Sequence, residues 1–206
     1  MTAPGSFTLQ VPGSWLDYDL AQQDFARQQQ ELRSEMTTPE QRRAADDALL
    51  QARRLLRAAR RRGAVSAAGL IARDEDGLLM AFVAVFGVTV PEGMDLSIAE
   101  IAQQLSRPAG ADGYGDRTVT AVQLPEIGSV ARITGTETVA LTDETSAVMV
   151  AMHTVIPLPD QPGSYLVVTG MSPNLALAES LYDIFDAITG TFRFVGDVAV
   201  PAGEAH

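Results

Sequence analysis

Residues 164–190 read SYLVVTGMSPNLALAESLYDIFDAITG and contain the clearest structural signals in the chain. Residues 164–171 are rich in β-branched and aromatic side chains and predict a strand. Over residues 172–190 the apolar side chains recur at the spacing of an amphipathic helix, with Ser172 as the expected N-cap and Pro173 in the first turn. The expected apolar face consists of Leu177, Ala178, Leu181, Ile184, Phe185 and Ile188. Because such a face must be buried, the stretch predicts a helix that packs on a sheet.

Further strands are predicted upstream of this stretch. Three segments have strand composition and are separated by short connections, which predicts an antiparallel meander: residues 118–124, 128–141 and 147–156. Residues 64–73 and 78–90 form an expected hairpin, in which Gly77 suits the positive-φ position of the connecting loop. The predicted fold class is α+β, with a mostly antiparallel sheet of about six to seven strands and helices packed on it.

A pair of helices is expected to be inserted near the N-terminus, over residues 21–62. The second helix has a capping box, in which Thr38 is the N-cap and Gln41 closes the box, and Gly63 supplies a left-handed stop. Its buried face is rich in alanine. We expect the pair to project from the sheet or to cover one of its edges. Residues 1–195 are expected to form a single domain, and residues 196–206 a flexible tail.

The composition excludes several classes of function. The chain contains no cysteine, so disulfides and thiolate chemistry are excluded. The formal net charge of −11 disfavours nucleic acid and anionic lipid as partners of the molecule as a whole. No apolar stretch approaches the roughly 20 residues that span a bilayer, and residues 1–9 lack the features of a secretory signal. The expected location is therefore the cytoplasm.

Positive charge is concentrated in the second predicted helix. All fifteen basic residues are arginine, and eight of them lie in residues 40–62, which also hold three acidic residues and so carry +5 against −16 elsewhere. Arg53, Arg57, Arg60 and Arg61 lie at i, i+4, i+7 and i+8 and form a cationic stripe. The structural alternative is that arginines at a helix C-terminus complement the helix dipole. The functional interpretation is a docking surface for an acidic protein or a second copy of the chain. Nucleic acid is not expected, because no aromatic platform accompanies the arginines.

His153 is the one internal histidine and lies in a predicted strand. A general base would need a carboxylate or a nucleophile beside it, and the sequence identifies neither. A histidine packed within the strand, or exposed on it, is the favoured interpretation. With His206 at the far end of the chain, no site with several histidine ligands is predicted.

Two other groups of residues carry polar chemistry. The glycine-rich loop of residues 110–116 is a candidate ligand loop through Asp112, Gly113, Tyr114 and Asp116, although it matches neither a Walker motif nor an EF-hand. Three acidic residues of the C-terminal helix share one face and are expected to be solvated: Glu179, Asp183 and Asp186. No catalytic residue, metal site or cofactor is predicted from these groups.

Two stretches resemble the ends of the PsbP-like superfamily, an α/β/α sandwich that is shared with the Ran nucleotide-release factor. FTLQVPGSW at residues 7–15 is similar to the opening strand and turn of that family, with Gly13 and Ser14 in reversed order. YLVVTGMSP at residues 165–173, with the helix and then TFRF at residues 191–194, is similar to its end. Small proteins of high-GC bacteria also look like this. The superfamily has no shared active site, so the resemblance implies an accessory or binding role and transfers no functional residue.

The sequence therefore favours a non-enzymatic binding or accessory protein that acts through protein–protein contacts at the arginine stripe. Its expected setting is a bacterial secretion or membrane-associated complex. The alternative is a small-molecule-binding domain, or an enzyme of an unrecognised kind, with a cleft near residues 110–116 and His153.

Overall fold

Among the residues that the structure describes, the large sheet has one α-helix on each of its faces. The computed structural model describes residues 6–17, 34, 36–74, 77–90, 117–140 and 145–195. Within these ranges the chain forms a seven-stranded antiparallel sheet, two α-helices and a separate two-stranded sheet. The predicted α+β class and the predicted six to seven strands are confirmed. Three predicted segments lie mainly or wholly outside the described residues, namely the helix at 21–36, the loop at 110–116 and the tail at 196–206.

The elements follow one another in the order that the sequence predicts. The strands are β1 (Phe7–Thr8), β2 (Leu16–Asp17), β3 (Ala64–Asp74), β4 (Gly77–Thr89), β5 (Thr118–Leu124), β6 (Gly128–Ala140), β7 (Ser146–Pro157), β8 (Ser164–Ser172) and β9 (Arg193–Phe194), and the helices are α1 (Pro39–Arg61) and α2 (Ala178–Gly190). The large sheet has the order β2-β3-β4-β8-β7-β6-β5, and β1 pairs with β9. The predicted hairpin and meander are therefore confirmed, and the pairing of β4 with β8 joins them into one sheet.

Helix α1 begins where the capping chemistry predicts. The N–H of Gln41 donates to Thr38 Oγ1 at 3.2 Å, and the N–H of Thr38 donates to Gln41 Oε1 at 3.2 Å. After the helix, Gly63 adopts a φ of +84°, which favours glycine. Both ends of α1 are thus set by local sequence.

The inner face of α1 packs on the face of β3 and β4, so the expectation that this helix projects or covers an edge is wrong. Its buried residues pack with Ala67, Ile71, Met80 and Phe82 of those two strands. Four of the six buried helix residues are alanine. The six are Ala45, Ala48, Leu49, Ala52, Leu56 and Ala58. Alanine side chains fill little volume, and this leaves room between α1 and the sheet further along the helix.

Helix α2 covers the opposite face, but its predicted N-cap is wrong. Ser172 ends β8, and its hydroxyl donates to the carbonyl oxygen of Met80 at 2.6 Å. A 3₁₀ turn, Leu175–Leu177, precedes the α-helix, whose N-cap position, Leu177, makes no side-chain capping bond and is exposed. The sheet competes successfully for the serine hydroxyl, so the helix starts one and a half turns later. Leu181, Phe185 and Ile188 are buried as predicted.

Candidate functional site

A cleft of about 290 Å³ lies between the C-terminal end of α1 and the face of the sheet. Its apolar walls come from α1 and from three strands of the sheet, β4, β6 and β8: Leu55, Ala58, Ala59, Phe86, Val88, Val139, Val167 and Met171. Four polar or charged side chains complete the lining: Arg62, Glu137, His153 and Thr169. An apolar cavity with a few convergent polar groups is the usual form of a small-molecule site.

The cleft continues beneath α1 as a narrower apolar crevice of about 60 Å³. The two spaces share Leu55, Ala59, Phe86, Thr169 and Met171 as walls. The crevice is otherwise lined by apolar residues of α1, β3 and β4: Leu56, Ala67, Phe82, Val83 and Ala84. The combined site is therefore polar at one end and apolar at the other.

A buried polar network forms the floor of the polar end. Arg117 Nη2 donates to Glu137 Oε2 at 2.6 Å, and His153 Nε2 lies 3.4 Å from the same oxygen. On the other side of the imidazole, Nδ1 is 3.0 Å from Thr169 Oγ1. The side chains of Arg117, Glu137 and His153 are only 8%, 13% and 14% exposed, so these polar groups interact away from bulk water.

The sheet register explains how these side chains meet. Glu137 lies opposite Met149, and His153 lies opposite Ile133, so the two residues are separated along the strands by the intervening pair Gly135 and Ala151. Glycine and alanine have the smallest side chains, and they leave the space in which the carboxylate and the imidazole converge. The position of β6 is further fixed from the other face, where the hydroxyl of Tyr182 donates to the carbonyl oxygen of Gly135 at 3.1 Å.

The environment of Glu137 favours its ionised form. Burial alone would raise the pKa of this carboxyl. The hydrogen bond and charge of His153, together with the positive charges of Arg117 and Arg62, outweigh burial and hold the pKa of Glu137 below its ordinary value. The floor of the cleft thus contains an ionised carboxylate that is paired with Arg117.

The arrangement supports binding better than bond cleavage. Thr169, His153 and Glu137 form a hydroxyl, imidazole and carboxylate sequence, which resembles the order of a nucleophilic triad. However, Thr169 is only 6% exposed, and His153 and Thr169 face each other on β7 and β8, two interior strands whose backbone N–H groups serve the sheet ladder. The neighbouring backbone therefore offers no donors for an oxyanion. The polar floor can orient a ligand by hydrogen bonding.

The predicted docking residues lie on α1 but outside the cleft. Arg57, Arg60 and Arg61 are exposed, and Arg53 is half-buried. Arg53 and Arg60 each interact with another group of the protein. The next residue, Arg62, follows the last turn of α1 and lines the cleft. The arginine stripe therefore passes beside the cleft entrance and does not form it.

The other predicted groups have different outcomes. The candidate ligand loop, with Asp112, Gly113, Tyr114 and Asp116, lies outside the described residues, and Arg117 directly follows it. The three acidic residues of α2 are exposed as predicted: Glu179, Asp183 and Asp186. Asp186 also forms an ion pair with Arg132, a buried residue of β6.

Sequence reasoning found His153 but missed its partners. Arg117 immediately precedes β5, Glu137 lies in β6 and Thr169 lies in β8. No sequence spacing therefore relates them to His153. Gly135 was the available signal, because a glycine inside a strand often marks the close approach of another group. It indicates a place where neighbouring side chains meet, although it does not identify them.

A second groove of about 290 Å³ lies on the other side of the molecule, along α2. It is lined by Gln10, Val11, Pro12, Ile184, Ala187, Ile188 and Thr191. Its polar groups satisfy one another, since the N–H of Gln10 donates to Thr191 Oγ1 at 2.8 Å. With no charged lining residue, this groove is the weaker candidate for a specific site.

Within residues 6–17, 34, 36–74, 77–90, 117–140 and 145–195, no cluster of three or more His, Asp or Glu side chains is suited to hold a metal ion. Over those same ranges no helix combines the length and the apolar character that a membrane crossing requires.

Comparison with known proteins leaves the family open. No family model matches the chain, and no curated protein matches it. Among solved structures, the chain is similar to the crystal structure of LpqN, described as involved in cell envelope biogenesis of Mycobacterium tuberculosis. The two are 14% identical with a TM-score of 0.44, and the alignment covers 94% of this chain and 86% of that one. At this level of similarity no property of LpqN is transferred, and the PsbP-like resemblance stays a prediction.

Proposed function

We propose that this protein is a non-catalytic binding protein whose cleft, between the end of α1 and the sheet, holds a small, mainly apolar ligand. The observation that carries the proposal is the combination of an apolar cleft with a buried, ion-paired polar floor in one place. A polar network whose side chains are at most 14% exposed costs desolvation energy, and a stable fold does not need it there. Positioning a ligand gives the network a role.

The volume of the cleft limits the size of the ligand. About 290 Å³ lies at the lower end of the roughly 300 to 1,000 Å³ of typical small-molecule pockets. The adjoining crevice adds about 60 Å³ of apolar space. A compact ring system or a single alkyl chain fits this volume, with its apolar part beneath α1 and its polar part above Glu137 and His153.

Ala59 offers a direct test, because it lines both the cleft and the crevice. The neutral solvatochromic dye Nile red is titrated into the wild type, Ala59→Leu and Ala44→Leu, with dye fluorescence as the readout. Leucine retains high helix propensity, so Ala59→Leu fills the shared space without opposing the helix. Ala44 is exposed on the same helix and provides the matched control.

We expect the wild type and Ala44→Leu to bind the dye alike, and Ala59→Leu to bind at least about tenfold more weakly, because each added buried carbon displaces ligand from the same space. Circular dichroism verifies that both variants are folded. Equal dye binding by Ala59→Leu and the wild type would contradict the proposal.

We also propose a second binding function, in which the exposed arginines of α1 dock to an acidic protein surface. Arg57 and Arg61 are exposed, and the part of the chain outside residues 40–62 carries −16, so the body of a second copy is one such surface. This supports self-association that weakens with salt. Light scattering at low and high ionic strength tests it: the wild type should associate at low salt, and Arg57→Glu with Arg61→Glu should not. A wild type that stays monomeric at low salt contradicts self-association.

A further inference from the structure

We infer that the cleft selects amphiphiles with an anionic head, and that Arg62 is the residue that recognises it. This inference rests on the proposed ligand-binding function of the same cleft. It names the ligand class as a single alkyl or similarly slender apolar body that ends in a carboxylate or a phosphate.

The charge balance at the polar end favours an anion. Glu137 is the one acidic residue in the described lining of the cleft, and it is already engaged by Arg117 at 2.6 Å and by His153 at 3.4 Å. Arg62 lines the same end and is exposed. Since Arg117 compensates the charge of Glu137, Arg62 gives the described lining of the cleft a net positive charge.

The end of α1 also faces the entrance, and the negative end of a helix dipole opposes an anion. Its last carbonyl groups are largely occupied, because the N–H of Arg62 bonds the carbonyl oxygens of Ala58 and Ala59, each at 3.1 Å, and the N–H of Gly63 bonds that of Arg60 at 3.0 Å. The dipole amounts to about half a unit charge. The full charge of Arg62 exceeds it, and the exposed Arg61 adds to the positive field.

The shape of the site completes the match with an amphiphile. The crevice that extends beneath α1 has an almost wholly apolar lining, whereas the charged residues lie only at the α1 C-terminal end. A ligand that is apolar at one end and charged at the other satisfies both regions at once. The combined volume suits one chain and not two.

Displacement of Nile red tests the head-group preference at low ionic strength. Four competitors share one chain length: decanoate, decyl phosphate, decyltrimethylammonium and decanol. We expect both anions to displace the dye at concentrations about tenfold lower than the cationic competitor, because attraction to Arg62 is replaced by repulsion. Decanoate and decyl phosphate together distinguish a carboxylate from a phosphate ligand.

Arg62→Gln should reduce the difference between anionic and cationic competitors to about twofold or less, whereas Arg43→Gln, an exposed arginine on the same helix remote from the cleft, should leave it unchanged. Nile red itself is uncharged, so its binding to Arg62→Gln reports that the cleft is intact. Equal displacement by anions and cations in a dye-binding wild type overturns the head-group inference alone. Failure of the wild type to bind the dye overturns the proposed function as well.

Discussion

Glu137 Oε2 lies 3.4 Å from His153 Nε2, although the sheet register places the two residues opposite different partners on β6 and β7. They meet because Gly135 and Ala151 occupy the positions between them. His153 stands out in the sequence as the one internal histidine, whereas nothing in the sequence distinguishes Glu137 from the other acidic residues. The contact between them gives the cleft its polar floor, on which the proposed binding function depends.

The charge of Glu137 should make the stability of the protein depend on pH. Because its pKa is lowered in the folded state, Glu137 stabilises the fold above the ordinary value of 4.5, and this contribution is lost as the pH falls through the lower folded pKa. Glu137→Gln should therefore lower the free energy of unfolding at pH 7 by about 3 kcal/mol, since it removes the buried carboxylate that pairs with Arg117 and His153. Urea denaturation at pH 7 and at acidic pH measures the difference.

The difference between the wild type and Glu137→Gln should shrink as the pH falls below 4.5. Glu126→Gln is the matched control, because Glu126 is 74% exposed and pairs with Arg193 at the surface. Such a pair contributes at most about 1 kcal/mol. A difference for Glu137→Gln that stays the same at every pH would show that its ionisation is not coupled to folding.

Gly170 should tolerate no side chain. A Cβ atom built on Gly170 would lie 2.4 Å from Cγ of Phe185, which is one of the most deeply buried side chains of α2. Gly170→Ala must therefore displace Phe185 or β8, and overpacking of this kind costs about 1 to 3 kcal/mol or more. Thermal unfolding should show a clearly lower midpoint.

Gly190→Ala is the control for this substitution, because nothing lies within 4 Å of its Cβ position. Alanine is also the better helix former at the end of α2. Its midpoint should equal or exceed that of the wild type. If Gly170→Ala were as stable as Gly190→Ala, the packing of α2 on β8 would differ from that described.

Removing Asp186 should destabilise the protein more than removing Arg132, because Arg132 is buried and needs an anionic partner. The guanidinium is buried, forms an ion pair with Asp186 and donates to Thr154 Oγ1 at 3.3 Å. In the part of the chain that the structure describes, its Nη2 is buried without a hydrogen-bond partner. Asp186→Ala should cost about 1 to 3 kcal/mol, because it leaves a buried charge poorly satisfied.

Arg132→Met should cost less than Asp186→Ala or even stabilise the protein, because an apolar side chain of similar length removes the need for an ion pair. Chemical denaturation of both variants gives the comparison. A larger loss for Arg132→Met would mean that the ion pair itself stabilises the fold.

The parts of the fold that depend on local chemistry could be predicted from the sequence. Thr38, Gln41 and Gly63 define α1 by contacts within a few residues, and the meander follows from short connections. The start of α2 could not be predicted, because Ser172 bonds Met80, which is 92 residues away. Local capping rules do not include such a competitor.

Less of the candidate site could be predicted from the sequence, because its contacts also join residues that are distant along the chain. His153 stands out by its rarity, but Arg117, Glu137 and Thr169 join it only through the register of four strands. Register depends on the packing of the whole sheet and shifts every side chain to the other face when it changes by one residue. The cleft itself depends on where α1 lies. The length of α1 could be predicted from the sequence, but the face of the sheet on which the helix packs could not.

The most direct test of the binding function is a two-dimensional NMR titration of the protein with decanoate. Shift changes should concentrate on α1 and the facing strands, at Ala59, Val139, Val167 and Met171, and Ala59→Leu should saturate only at decanoate concentrations at least about tenfold higher. Changes confined to the groove along α2, at Gln10, Ile184 and Thr191, would contradict ligand binding in the cleft, as would the absence of saturable changes anywhere.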